Sequence, residues 1–211
     1  MLMWIGISVA AYFVGSLPFG VWIARLRGVE ILAVGSGNPG ATNVARAAGK
    51  AAGLLTLLLD VMKGMGPSLV GGFAAEGGFR PDVALGIGAL AVVGHMYSPF
   101  IRFRGGKGVA TALGVVLAAA PIPSLICLAF WVLVLVLFDY VSLASIVAVC
   151  LMPLCTYLLG YPLLITVGIL LIAAFIVVKH RPNLVRLAAG TENRFRFRGP
   201  ANSAETPEPK E

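Results

Sequence analysis

The sequence predicts an all-α integral membrane protein of seven transmembrane helices, with the N-terminus outside and the C-terminus in the cytoplasm. Three observations carry this expectation. First, 59% of the 211 residues are hydrophobic and 12% are charged, with a mean hydropathy of +0.94. A soluble domain is about 45–50% apolar and about 25% charged, and one of this size could not hide so much apolar surface. That excludes a soluble enzyme, a disordered chain and a secreted disulfide scaffold. Second, the apolar runs are continuous, whereas a transmembrane β-barrel alternates polar and apolar residues, so the spans are helices. Third, cations gather in three clusters between the runs, and positive loops stay cytoplasmic. An even number of spans must therefore separate each pair of clusters.

Residues 3–24 form the first apolar run. No basic stretch precedes it, so it reads as a retained span and not as a cleaved signal peptide. Arg25, Arg27, Arg46 and Lys50 follow, then runs at 51–73 and 82–100, then Arg102, Arg104 and Lys107. The next run, 108–138, would make a helix of about 46 Å, too long for a hydrocarbon core of ~30 Å. Pro121-Ile122-Pro123 predicts a turn within it, giving spans 108–120 and 124–138. Runs at 141–159 and 162–178 complete the seven, ahead of Lys179, Arg181, Arg186, Arg194, Arg196 and Arg198. Segments 28–50, 101–107, 139–142 and 179–211 are then cytoplasmic, and 74–81, 121–123 and 160–161 external, leaving Arg80 as the external cation. Residues 1–198 form one transmembrane domain. Residues 199–211, with three prolines and three glutamates, read as a disordered cytoplasmic tail without chemistry.

The net charge of +7 points to anionic partners, either lipid head groups or phosphorylated substrates. Cys127, Cys150 and Cys155 lie in apolar stretches without a CxxC and read as small buried hydrophobes. Carboxylates are too few in the loops for a metal site, and no metal is expected.

The loop Gly35-Ser36-Gly37-Asn38-Pro39-Gly40-Ala41-Thr42-Asn43, followed by Arg46, has the chemistry of an anion cradle. Its glycines let successive N–H groups converge. Ser36, Thr42 and Asn43 add neutral donors, and Arg46 adds a forked cation. Thr42 or Asn43 is expected to cap a helix opening there, whose N-terminus favours phosphate. Gly105-Gly106-Lys107-Gly108 fails as a P-loop, because position 101 is isoleucine and the residue after Lys107 is glycine. Framed by glycines, Lys107 still reads as a phosphate ligand, while Arg102 and Arg104 read as head-group anchors. Asp60 and Lys63 share a helix face inside the second run and are expected to pair. His95 is open to a structural or a functional reading. Ser142 and Ser145 share a helix face, and Ser145 is the one expected to face the cleft. His180 and Asn183, three apart at a helix end, can converge on one ligand. Phe195, Arg196, Phe197 and Arg198 read as an interfacial strip.

No serine or cysteine is paired with both a base and an orienting acid. The histidine-x4-aspartate pattern of thioester-dependent acyltransferases is absent, since Phe100 and Val185 stand five residues after His95 and His180. The loops are thus suited to hold phosphates beside lipid, acting on a substrate already activated. A phosphate or organophosphate transporter is the rival reading. It should place polar groups near mid-membrane and show two related halves.

Five motifs in order carry a resemblance over residues 5 to 192. They are Gly15-Ser16-Leu17-Pro18-Phe19-Gly20 with Arg25, the GSGNPGATN loop with Arg46, Asp60-x-x-Lys63-Gly64, the GH…SPF…GGKGVAT segment, and KHRPN…RL…G-x-Glu192. Together they resemble the PlsY family, the bacterial acyl-phosphate-dependent glycerol-3-phosphate acyltransferases. The resemblance implies a seven-helix enzyme of the inner membrane, active at its cytoplasmic face. It implies transfer of a fatty acyl group from acyl phosphate to the 1-hydroxyl of sn-glycerol 3-phosphate, giving lysophosphatidic acid and phosphate. Neither metal, cofactor nor acyl-CoA is implied, and no nucleic acid. The bilayer and the soluble enzyme that makes acyl phosphate are the implied partners. Matched onto this chain, Arg46, Lys107 and His180 take the catalytic positions. Ser36, Gly37, Asn38, Gly40, Thr42, Asn43, Ser145 and Asn183 take the substrate-binding ones. Lys107 and Arg46 would neutralise charge on the leaving phosphate. His180 and Asn183 would position the acceptor, and a substrate phosphate oxygen would take its proton, with His180 as the runner-up base.

Overall fold

A computed structural model describes residues 1–195, and every regular element among them is helical. The tail at 199–211 and the strip residues Arg196, Phe197 and Arg198 lie outside the described residues. The helices run α1 (Leu2–Ser16), α2 (Phe19–Arg25), α3 (Ala41–Ala48), α4 (Lys50–Ala74), α5 (Pro81–Met96), α6 (Val109–Ala119), α7 (Pro121–Phe138), α8 (Val141–Leu158), α9 (Leu163–Lys179) and α10 (Arg181–Ala188).

Five segments are long and apolar enough to cross a membrane: Leu2–Arg25, Lys50–Ala74, Pro81–Ile101, Pro121–Phe138 and Val141–Leu158. A sixth candidate counts α9 together with α10, which turns from it by 58°, and α6 is a shorter apolar helix. Leu133, Val136 and Leu137 are among the large apolar side chains left on the outside, as a lipid-facing surface requires.

The first span is not the single helix expected over 3–24. It breaks at Leu17-Pro18, between α1 and α2, because Pro18 brings no N–H and a ring that clashes with the preceding turn. The carbonyls freed by the break find partners elsewhere. Ser98 Oγ donates to Ser16 O at 2.6 Å, and Lys63 Nζ donates to Leu17 O at 2.8 Å. Lys63 also pairs with Asp60 at 2.7 Å, both buried. The intramembrane ion pair anticipated from the sequence is therefore formed, and it also stitches α4 to the break.

The turn expected at 121–123 lies instead at Ala120, with φ −148° and ψ 71°. Pro121 and Pro123 fall in the first turn of α7, where a missing N–H costs little. Helices α4 and α6 approach closely through glycines. A Cβ on Gly64 would collide with Thr111 O, and one on Gly114 with Val61 O. Gly15 and Gly94 play the same part between α1 and α5. The larger core joins α5 to α9 through Val92, Val115, Cys127, Met152, Ile165 and Ile169. A smaller one, around Val21, Ala24, Ile31 and Val44, seats α2, α3 and the loop between them.

Candidate active site

The loop before α3 turns through two glycines in the left-handed region, Gly35 (φ 62°) and Gly37 (φ 65°), which other residues enter only at a cost. Asn43, buried in the first turn of α3, holds it. Its Oδ1 accepts from Ser36 N at 3.2 Å, and its Nδ2 donates to Val34 O and Asn38 O at 3.0 Å each. Asn38 Oδ1 accepts from Gly40 N at 2.8 Å. Gly40, with no side-chain cap, precedes the helix, so neither Thr42 nor Asn43 is the cap expected of them. Both sit inside the first turn, and Asn43 spends its polar atoms shaping the loop.

The turn carrying Lys107 rests on the end of α5. Gly106 N donates to His95 O at 3.1 Å. A Cβ on Gly105 would strike His95 O and one on Gly106 would strike His95 Nε2, so this turn needs glycine. Lys107 is then delivered beside α6, and burial pushes its ammonium down to about 8. The Glu192 carboxylate opposes that shift, and the Arg186 and Arg46 guanidinium groups add to it. Arg46, in the last turn of α3, donates to Asn193 O at 3.1 Å.

A third wall is tied by Glu192. It accepts from Ser142 Oγ at 2.8 Å, Asn183 Nδ2 at 2.7 Å and Arg186 Nε at 2.7 Å, joining α8 to α10. Burial raises the carboxyl, but these bonds outweigh it and hold the group below its usual range. With Nδ2 so used, Asn183 keeps a buried Oδ1 that has no partner among the described residues. His180 Nδ1 lies 2.8 Å from Ile176 O. A carbonyl oxygen only accepts, so Nδ1 carries the proton and Nε2 is left as an acceptor. Burial pushes the ring down to about 4. The Lys107 charge reinforces this, against the Ile176 bond and the Glu192 charge. Ser145 Oγ donates to Val141 O at 2.7 Å and accepts from Trp131 Nε1 at 3.1 Å. Its hydroxyl proton is committed, so it is not poised as a nucleophile.

These walls enclose one cavity of about 260 Å³. Its polar pole gathers Ser36, Asn38, Gly40, Thr42, Asn43, Arg46, Lys107, Ser145, His180 and Asn183. Of the residues assigned to catalysis or substrate binding from sequence, Gly37 alone stays off the lining, and it serves the loop turn. Arg102 and Arg104 are exposed and also off it. Asp60, His95, Ser142, Arg186 and Glu192 line the cavity as well; the sequence leaves His95 open between a structural and a functional reading and gives the other four no place at the ligand. Glu192 offered one signal, an acid alone among the cations of the last cluster. Away from the pole the cavity continues as an apolar arm between α6, α7, α8 and α9. Among the described residues no three His, Cys, Asp or Glu side chains come together to hold a metal ion. The arrangement combines clustered cations, two buried acceptor atoms and an apolar arm. It suits a ligand that is a phosphate at one end and a hydrocarbon at the other.

The chain matches the family model described as glycerol-3-phosphate acyltransferase over residues 5–190. It is 45% identical over 190 residues to the glycerol-3-phosphate acyltransferase of Geobacter sulfurreducens, covering 90% of this chain and 96% of that one. Against the Aquifex aeolicus protein of the same name, identity is 45% over 185 residues, with 88% and 95% covered. Among solved structures, the chain resembles PlsY, an integral membrane glycerol 3-phosphate acyltransferase, in its glycerol 3-phosphate form. The TM-score is 0.86 and the identity 43%, with 91% and 95% of the two chains covered. The lysophosphatidic acid form of PlsY gives a TM-score of 0.83 over the same shares.

Proposed function

The chain belongs to the glycerol-3-phosphate acyltransferase family, and on that premise we propose that its acyl donor is an acyl phosphate. The acceptor is the 1-hydroxyl of sn-glycerol 3-phosphate, and the products are lysophosphatidic acid and phosphate. One observation carries the reading: a cationic pole and an apolar arm share a single cavity. An acyl phosphate is a mixed anhydride with a good leaving group, so no enzyme nucleophile is needed, and the Ser145 hydroxyl proton is already committed to Val141 O.

The acceptor oxygen forms a bond to the acyl carbonyl carbon as the carbon–oxygen bond to phosphate breaks. The hydroxyl proton ends on a phosphate oxygen of the substrate. Lys107, Arg46 and the loop N–H groups stabilise the charge growing on the leaving phosphate. His180 Nε2 and Asn183 Oδ1 accept from the glycerol hydroxyls and aim them. The acyl chain lies in the arm. We further infer that the chain crosses the inner membrane seven times, counting α6 as a short span. Its N-terminus is then outside, and the site and C-terminus face the cytoplasm, where a soluble enzyme supplies the donor. A phosphate transporter could use the same pole, but the apolar arm offers an anion no path onward.

Purified protein should release phosphate from acyl phosphate only when glycerol 3-phosphate is present, and should leave acyl-CoA unused. Turnover with acyl-CoA in place of acyl phosphate would overturn the donor assignment. Uptake of glycerol 3-phosphate into proteoliposomes without acylation would favour the transporter.

A further inference from the structure

We propose that the level at which the apolar arm closes, at Met152 and Ile169 with Val116 and Ser124 opposite, sets the length of acyl chain the enzyme prefers. This rests on the acyl-phosphate reading above.

Each of the four helices around the arm stops lining it at one level. On α6 the last lining residue is Val116, and Ala119, one turn on, is buried off the cavity. On α8 the last is Met152, with Thr156 fully buried a turn beyond. On α9 it is Ile169, with Ile165 and Thr166 behind it, and on α7 it is Ser124, with Pro123 behind. Ala119, Ala120 and Ile165 belong to the packed core, and Cys155 packs against it. The arm therefore ends on protein. Ten residues of helix separate Ser142 at the pole from Met152, about 15 Å at 1.5 Å per residue. The floor thus lies about halfway through a hydrocarbon core of ~30 Å.

A close-packed floor makes chain length count. A methylene added above the floor exchanges lipid for packed protein of similar polarity and changes kcat/KM little. A methylene added beyond it must displace Met152, which is flexible, and then Ile169, which is stiff. Activity against chain length should hold level up to the floor and then break.

The test uses purified enzyme in nanodiscs and a series of saturated acyl phosphates of increasing length, with phosphate release as the readout. Wild type should show the break. Met152→Ala should move it outward by about two methylenes, changing the ratio of kcat/KM for donors on either side by about 5- to 150-fold. Ala148→Leu, one turn nearer the pole on α8, should move the break to shorter chains. If Met152→Ala fails to fold, Ala148→Leu and Ile169→Val decide the matter. The absence of any break in wild type, or unchanged breaks in active variants, overturns the floor alone. The absence of turnover at every length overturns the acyl-phosphate reading, and this inference with it.

Discussion

Replacing Lys107 by alanine is expected to lower kcat/KM by about 100- to 1000-fold, the range found when a preorganised group facing developing charge is removed. The fold should survive, because Lys107 sits in a glycine turn that is held by backbone bonds and packing against His95. Arg46→Ala should cost less, about 10- to 150-fold, as for the loss of one charged hydrogen bond. The pH dependence gives a second handle. Burial holds the Lys107 ammonium at about 8, so the charged fraction of the free enzyme falls as pH rises through that value. Because kcat/KM reports free-enzyme ionisations, it should fall along an alkaline limb near pH 8. Lys107→Arg keeps its charge across this range, so its profile should lack that limb. A Lys107→Ala enzyme of near-full activity would remove Lys107 from the phosphate.

His180→Gln is expected to raise the KM for glycerol 3-phosphate by about tenfold or more and to leave kcat measurable. With its folded-state value pushed down to about 4, the ring is protonated only in strong acid and neutral throughout the working range. It therefore offers an acceptor at Nε2 and is a weak base. The kcat profile should show no acidic limb near the ordinary histidine value of about 6.5. Glutamine can supply a donor toward Ile176 and an acceptor toward the ligand, but it cannot take a proton. Loss of kcat in His180→Gln with acceptor binding unchanged, together with a wild-type limb near 6.5, would make His180 the base.

Much of this architecture is legible in the sequence, because apolar runs and cation clusters report the bilayer directly. Where the structure departs from the sequence pattern, the cause is a partner distant in sequence. Pro18 sits within an unbroken apolar run. The break there is sustained by Ser98 and Lys63, which reach the freed carbonyls from α4 and the segment after α5. Pro121 and Pro123 mark a break, but proline fits the first turn of a helix, so the chain bends one residue earlier at Ala120. In the site, Lys107, Arg46, His180 and Asn183 stood out because cations, glycines and a helix end fall together locally. Asn43 has a phosphate donor's chemistry, yet its amide is consumed within 12 residues of chain by the loop it shapes. The bond from Ser142 to Glu192 spans 50 residues, and no local pattern announces it.

Direct transfer, with the acyl group passing from donor to acceptor without resting on the protein, is tested most simply by a single-turnover measurement. Enzyme is mixed rapidly with acyl phosphate in the absence of glycerol 3-phosphate, and phosphate is followed in time. Direct transfer predicts no burst. Phosphate should appear only once glycerol 3-phosphate is added, in step with lysophosphatidic acid. A burst of about one phosphate per enzyme before any acceptor is present would reveal an acyl-enzyme, and would contradict a site that uses cations, amides and an apolar arm in place of a nucleophile.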